Sequence, residues 1–138
     1  MKRIQFVFAL LLGAFLAPHA AHAAEGFSVR AILIRASNDK GPSDARLKQY
    51  EAELQRNLVF SSFKFVAENT TAVPTGGRSS ISLAGGHRLE LENDKGALRG
   101  KMQWKDGRTV TVTLQRESPS VLVNRVGDDA DAVLILVK

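Results

Sequence analysis

The chain has no cysteine among its 138 residues. Disulfides, thiolate metal sites and cysteine nucleophiles are therefore excluded. Aromatic residues are also scarce, with one tryptophan and one tyrosine beside seven phenylalanines. A folded domain built from this sequence must be stabilised by burial of apolar side chains, because it has no covalent cross-link to add.

A clustered excess of positive charge is likewise missing. Nineteen basic residues stand against fourteen acidic ones, and the two kinds are scattered among each other along the chain. A nucleic-acid-binding surface concentrates Lys and Arg on one face, often with aromatic residues between them. We therefore expect no nucleic-acid partner.

The first residues have the pattern of a secretory signal peptide. Lys2 and Arg3 precede an apolar run from Phe6 to Ala17, and small residues follow with an A-x-A site at Ala21–Ala23. This order predicts a signal peptide over residues 1–23, removed after about Ala23. The apolar run is shorter than the roughly 20 residues of a membrane-spanning helix, so no membrane span is expected. The protein is predicted to be exported, to the periplasm or the extracellular space.

Cleavage would leave a chain of moderate size and mild charge. Subtracting 23 from 138 leaves 115 residues, enough for one domain, residues 24–138. Removing Lys2 and Arg3 lowers the basic count from 19 to 17 against 14 acidic residues, so the net charge falls from +5 to +3.

The first part of this domain predicts a strand followed by a helix. Phe27 to Ala36 is rich in β-branched residues and apolar on both faces in its second half, which indicates a central strand. A turn follows, and Ser43 is predicted to cap a helix. Leu47, Leu54 and Leu58 recur at helical spacing, with Tyr50 beside them, so one narrow face of the helix should pack on the first strand.

From Phe60 onward the hydrophobic period is two. We expect a loop over Asn69–Gly77. The predicted strands after it are Arg78–Ala84, His87–Asn93, Ala97–Lys105, Thr109–Arg116 and Ser120–Asn124. The inward-facing sets are predicted to be Ile81 and Leu83; Leu89 and Leu91; Leu98, Met102 and Trp104; and Val110, Val112 and Leu114.

Side-chain parity constrains two of the hairpins. Met102 and Val110 share a face only if the loop has an odd number of residues, which predicts a turn at Lys105–Gly107 with Trp104 opposite Arg108. An even loop at Asn93–Gly96 is predicted to place Leu91 opposite Leu98. The same register would set Arg99 across from Glu90.

The last segment, Ala132–Val137, is an unbroken apolar run that follows a polar turn at Gly127–Asp131. Such a run fits a strand buried on both faces, and we place it beside the first strand, under the helix. The expected fold class is therefore mainly β (α+β). It is an antiparallel β-sheet or sandwich of about seven to eight strands with one amphipathic helix packed on it.

Catalytic motifs are absent from the sequence. Two of the three histidines, His19 and His22, lie in the predicted signal peptide. The remaining one, His87, has no nucleophile motif in the sequence to act with. We interpret His87 as a strand-end histidine and expect no metal site, no cofactor and no catalytic residue. Glu90 and Glu92 share a strand face as a hydrolase pair would, but an exposed cross-strand charge pair is the favoured interpretation.

A polar strand face is the candidate binding site. Arg99, Lys101, Gln103 and Lys105 are predicted to project from one side of a strand, with Arg88 on the neighbouring one. This face could receive an acidic patch of another envelope or secreted protein, or an anionic envelope polymer. Charge on the solvated face of an antiparallel sheet is also the ordinary arrangement for solubility. Sheet edges offer a second way to bind a partner.

Several segments together resemble a type of small exported bacterial protein with no assigned activity. They are RAILIRASND, RLKQYEAELQRNLVFSSFKF, LAGGHRLELEND and the lone Trp104. The resemblance lies in the order of elements and implies no functional residue.

Three functions remain open. The first is a non-catalytic binding or accessory module of the bacterial envelope that acts through its sheet surface or edges. The second is a small hydrolase dependent on carboxylates such as Glu90, Glu92 or Asp94. The third is a structural module of a larger assembly, which oligomerisation of the isolated protein would indicate.

Overall fold

A computed structural model of the protein describes residues 26–39 and 41–138. The predicted signal peptide, residues 1–23, lies outside the described residues. Eight strands follow one another: β1 Phe27–Ser37, β2 Ser62–Val73, β3 Arg78–Leu83, β4 His87–Asp94, β5 Ala97–Gln103, β6 Thr109–Leu114, β7 Ser120–Val126 and β8 Asp129–Val137. Between β1 and β2 a 3₁₀ segment, Ala45–Tyr50, continues directly into helix α1, Glu51–Asn57. A second, very short 3₁₀ turn, Ala84–Gly86, joins β3 to β4.

The strands form two four-stranded antiparallel sheets packed as a sandwich. Sheet A has the order β2-β1-β8-β7, and sheet B has the order β3-β4-β5-β6. The predicted fold class, mainly β with one packed helix, is confirmed. Within the described ranges, no helix is long and apolar enough to cross a membrane.

Strands β1 and β8 lie at the centre of sheet A and are buried on both faces. Leu33 of β1 pairs with Val133 of β8, and both side chains join the core between the two sheets. Ile34 and Leu134 point the other way, into a second core beneath the helical segment. The predicted position of the last strand, beside the first and under the helix, is confirmed. The two cores explain why both segments are almost wholly apolar.

The helical segment covers the outer side of sheet A through the predicted leucines. Leu47, Leu54 and Leu58 are all buried there. The predicted cap is wrong, because the Asp44 carboxylate, rather than the Ser43 hydroxyl, accepts the hydrogen bond from the Arg46 backbone N–H. The Ser43 hydroxyl instead accepts from the backbone N–H of Phe63, which ties the start of the helix to β2.

The hairpin between β5 and β6 is confirmed. Met102 pairs with Val110, the backbone N–H of Trp104 donates to the Arg108 carbonyl at 2.9 Å, and Gly107 has a φ of 92°. The hairpin between β4 and β5 keeps the predicted even loop but in a different register. Its tight turn is Lys95-Gly96, with φ angles of 54° and 89°, as in a type I′ turn.

This tighter turn changes the predicted cross-strand partners. Leu91 lies opposite Gly100 instead of Leu98. Glu90 lies opposite Lys101, and Arg99 lies opposite Glu92. The predicted Glu90–Arg99 pair is therefore wrong by two residues.

Two further predictions need correction, and one is confirmed in direction but not in burial. The loop expected over Asn69–Gly77 begins only after Val73, because residues 69–73 continue β2 and pair with residues 27–31 of β1. Earlier in β2 there is a bulge at Val66, since Leu33 pairs with Ala67 and Ile34 with Phe65. Val110 does lie on the inner face, opposite buried Met102 as predicted, but it is 39% exposed because β6 lies at the edge of its sheet. The turn expected at Gly127–Asp131 is shorter, since β8 begins at Asp129.

Candidate functional site

The outer face of sheet B carries the predicted binding residues. Alternation along β4 and β5 sends Leu89 and Met102 into the core and leaves Arg88, Arg99 and Lys101 exposed on the opposite side. Gln103 and Lys105 are exposed as well. A shallow depression of about 610 Å³ lies on this face. It is lined by Arg88, Arg99 and Lys101 together with Arg78, Glu90 and Glu92, among others, whereas Gln103 and Lys105 lie outside it.

Gly100 forms part of this depression. A side chain at this position would point inward, where its Cβ would lie 3.2 Å from a methyl carbon of Leu114 and 3.4 Å from one of Leu89. The missing side chain therefore lets two core leucines pack under the centre of the outer face.

Acidic residues lie between the basic ones on this face. Across the strands the order in one row is Arg78, Glu92, Arg99, and in the next row Ser80, Glu90, Lys101. Arg78 and Glu92 are 3.6 Å apart, and Arg88 and Glu90 are 3.9 Å apart. Among the described residues neither Arg99 nor Lys101 is ion-paired, so these two cations keep most of their capacity for an outside anion.

The two glutamates are placed as surface residues. Their side chains are 45% exposed at Glu90 and 47% exposed at Glu92, and each is near an arginine. A general acid needs an apolar cleft that favours its protonated form, while a nearby guanidinium favours the carboxylate. The carboxylate-dependent hydrolase thus gains no support from the surroundings of Glu90 and Glu92.

A second cluster of basic residues lies beside the helical segment. Arg30, Arg46 and Lys48 surround a depression of about 550 Å³. Arg30 is paired with Glu68, and Arg46 is paired with Asp44 at 2.8 Å. The side-chain hydrogen bond from Arg46 to Asp44 is the main cause that lowers the pKa of this carboxyl to about 2. Two of the three cations are therefore already neutralised within the chain.

Sequence reasoning missed a buried polar cluster between the two sheets. His87, at the start of β4, is only 4% exposed, and its Nε2 is 3.4 Å from Oδ2 of Asp131 on β8. The Asp131 side chain is 4% exposed, and its Oδ1 lies 2.8 Å from Nε of Arg35 on β1. We call these three residues, Arg35, His87 and Asp131, the inter-sheet cluster. His87 does stand at a strand end, as predicted, but it is buried against a carboxylate.

Both nitrogens of the His87 ring have neighbours within the protein. The backbone N–H of Lys105 donates to Nδ1 at 3.1 Å, which fixes the tautomer that carries its proton on Nε2, toward Asp131. The edge of the ring meets the Trp104 indole, with centroids 5.3 Å apart and planes at 81°. This arrangement holds the imidazole rigidly and leaves neither nitrogen directed to solvent. It joins sheet B to sheet A through a polar contact.

A second polar group extends the contact between the sheets toward the surface. Buried Asn124 of β7 donates to Asp106 Oδ2 at 3.0 Å and accepts from Arg108 at 3.3 Å. The pKa of Asp106 is lowered, chiefly because the backbone N–H of Arg108 donates to its carboxylate. The hydrogen bond from the Asn124 side chain lowers it further. The turn between β5 and β6 is thereby fastened to the edge of sheet A.

The described part of the chain contains no group of three or more His, Cys, Asp or Glu side chains that could hold a metal ion. Comparison of the chain with family models, curated proteins and solved structures finds no match.

Proposed function

We propose that the protein is a non-catalytic binding module of the bacterial envelope, exported from the cytoplasm, whose docking surface is the outer face of sheet B. The observation that carries the proposal is an asymmetry between the sheets. The helical segment packs over the outer side of sheet A, whereas no described helix or strand covers the outer face of sheet B, whose depression is lined by exposed charged residues.

The charges on this face favour an anionic partner. Arg99 and Lys101 are exposed, lie two residues apart on the same face of β5 and are not ion-paired among the described residues. Glu90 and Glu92 alternate with them, which favours a partner that presents both signs in a complementary pattern over one with uniform negative charge. An acidic patch of another exported protein meets this requirement better than an anionic polymer. Export rests on the residue pattern of the first 23 positions.

The arrangement of the inter-sheet cluster does not favour catalysis by His87. A general base needs a nitrogen that can reach the proton of a substrate. In His87 one nitrogen accepts from the protein backbone and the other faces a buried aspartate. We therefore assign the cluster to the stability of the sandwich.

The proposal is tested by reversing the two free cations. The double variant Arg99→Glu/Lys101→Glu is compared with Lys48→Glu/Lys64→Glu, which makes the same charge change at exposed positions of the helical segment and of β2, outside sheet B. Each protein is immobilised and exposed to envelope extract, to polyglutamate and to lipopolysaccharide, at low and high salt. Intact mass of the protein recovered from outside the cytoplasm tests the predicted start at Ala24.

We expect the wild type and the control to retain the same partners, and the double variant to lose them. Binding should weaken with added salt, because exposed ion pairs are screened. Equal retention by both double variants would refute the outer face of sheet B as the docking surface. Turnover of a hydrolase substrate that disappears on mutation of Glu90 or Glu92 would favour the alternative.

A further inference from the structure

Strand β6 differs from the other three strands that lie at sheet edges. Edge strands present unpaired backbone groups, and proteins commonly protect them with charged side chains. The edge strands β2, β3 and β7 each carry at least one charged residue, respectively Lys64, Arg78 and Arg125. Strand β6, with the sequence TVTVTL, carries none over its whole length.

Among the residues that the structure describes, the backbone groups of β6 without a partner belong to its threonines. In an antiparallel ladder, hydrogen-bonded pairs alternate with pairs that are not hydrogen-bonded. Trp104 and Arg108 form a hydrogen-bonded pair, so along β6 the residues that bond to β5 are Val110, Val112 and Leu114. The backbone N–H and C=O groups of Thr109, Thr111 and Thr113 therefore point away from sheet B. Their side chains are exposed as well.

We propose that β6 is a self-association edge, at which a second copy of this chain adds its own β6 in antiparallel orientation. The reason to choose a second copy is that the strand is self-complementary. With a twofold axis at Thr111, Thr109 of one copy pairs with Thr113 of the other, and Thr111 pairs with its own equivalent. All three are residues whose backbone groups are unpaired, so each pair can exchange both hydrogen bonds.

The side chains match in the same register. Threonine meets threonine on the outer face, and Val110 meets Val112 on the inner face, which are favourable cross-strand combinations. No charged side chain of β6 enters the contact. The association also covers part of Val110, which is 39% exposed in one copy. The two B sheets become one continuous eight-stranded sheet, with their open outer faces on the same side.

A contact made mainly by one short strand is small, so the dimer is weak. Interfaces at the low end of the size range belong to transient complexes. We expect a dissociation constant on the order of 10–100 μM, which is accessible to sedimentation at high protein concentration. This inference does not depend on the proposed function, since its test contains no ligand.

The experiment is analytical ultracentrifugation of the mature chain over a concentration series. In the variant Thr111→Glu the new carboxylate faces Lys101 within its own chain but faces an identical carboxylate across the twofold axis. The matched control is Ser80→Lys, at the equivalent row on the opposite edge strand β3, where the new cation faces Glu90. The native environment of the single tryptophan, Trp104, reports whether each variant is folded.

We expect the wild type and Ser80→Lys to dimerise with similar dissociation constants, and Thr111→Glu to dimerise at least tenfold more weakly. Mixing Thr111→Glu with Thr111→Lys should restore association, because the opposed charges then attract. A wild type that stays monomeric at about 500 μM, roughly fivefold above the upper end of the expected range, overturns the proposal. A dimer that Thr111→Glu leaves unchanged, or that the mixture fails to restore, overturns it equally.

Discussion

Replacement of Asp131 by alanine tests whether the inter-sheet cluster stabilises the sandwich. The change removes the carboxylate that lies 3.4 Å from His87 Nε2 and pairs with Arg35. Breaking a buried ion pair by removing one partner costs about 3–5 kcal/mol. The Arg35 side chain is 41% exposed, so water recovers part of its solvation, and we place the loss near 3 kcal/mol. This is a large share of a total stability of roughly 5–15 kcal/mol.

The assay is urea unfolding followed by the fluorescence of Trp104, the single tryptophan, which is 4% exposed beside the His87 ring. At a slope of about 1–3 kcal/mol per molar urea, the midpoint of Asp131→Ala should fall by roughly 1–3 M. The control is Glu92→Ala, which breaks an arginine–carboxylate pair whose side chains are 81% and 47% exposed. Such a surface pair is worth about 0–1 kcal/mol, so this midpoint should hardly move.

A double-mutant cycle separates the ion pair from other losses. Arg35→Ala and Asp131→Ala remove partners of one contact, so the double variant should lose less free energy of unfolding than the two single variants added together. A loss below about 1 kcal/mol for Asp131→Ala would refute a stabilising role of the cluster. Additive losses would show that Arg35 and Asp131 act independently.

Two further predictions concern turns and caps. The pKa of Asp44 is about 2 in the folded state against 3.8 for the free side chain, chiefly because the Arg46 side chain donates a hydrogen bond to it. The ionised carboxylate therefore contributes fully to the free energy of unfolding above about pH 4. This contribution is lost as the pH falls toward about 2. Wild type and Asp44→Asn should differ in unfolding midpoint at pH 6 and converge near pH 2, and an NMR titration midpoint of the Asp44 carboxyl near 3.8 would contradict the assignment. The second prediction concerns Lys95, which has a φ of 54° at the first position of a type I′ turn. Asparagine is preferred at this position. Lys95→Asn should therefore raise the free energy of unfolding, measured by urea titration, by about 0.5–1 kcal/mol. An unchanged or lower midpoint would contradict this account of the turn.

The parts of the fold that could be predicted from the sequence are those fixed by local pattern. The last strand is apolar on both faces, and this alone placed it beside the first strand under a helix. The β5–β6 turn followed from parity together with Gly107, whose φ of 92° suits glycine. The β4–β5 register was wrong because parity permits any even loop, and only Gly96, with a φ of 89°, favours the two-residue type I′ turn at Lys95-Gly96.

The candidate binding face was partly predictable, and the inter-sheet cluster was not. Alternation on β4 and β5 correctly exposed Arg88, Arg99, Lys101, Gln103 and Lys105. The contact between His87 and Asp131 joins strands of different sheets, so no spacing along the chain indicates it. One signal was present in hindsight: Asp131 stands directly before an apolar run, and a carboxylate buried so deeply requires a partner.

The two proposals, if both hold, make a joint prediction about how the protein binds. A dimer joined at β6 lays two outer faces of sheet B on one continuous surface, so an immobile partner with repeated sites could be held by both faces at once. The second face then binds at an effective concentration set by the rigid spacing, and avidity can exceed the affinity of one face by about 10²–10⁴. Thr111→Glu should therefore weaken retention on a dense partner surface far more than binding to a single soluble copy of that partner. Equal weakening on the dense surface and with the soluble partner would mean that the substitution acts on the outer face of sheet B itself, because Thr111 lines the depression there. Dimerisation would then contribute nothing to binding.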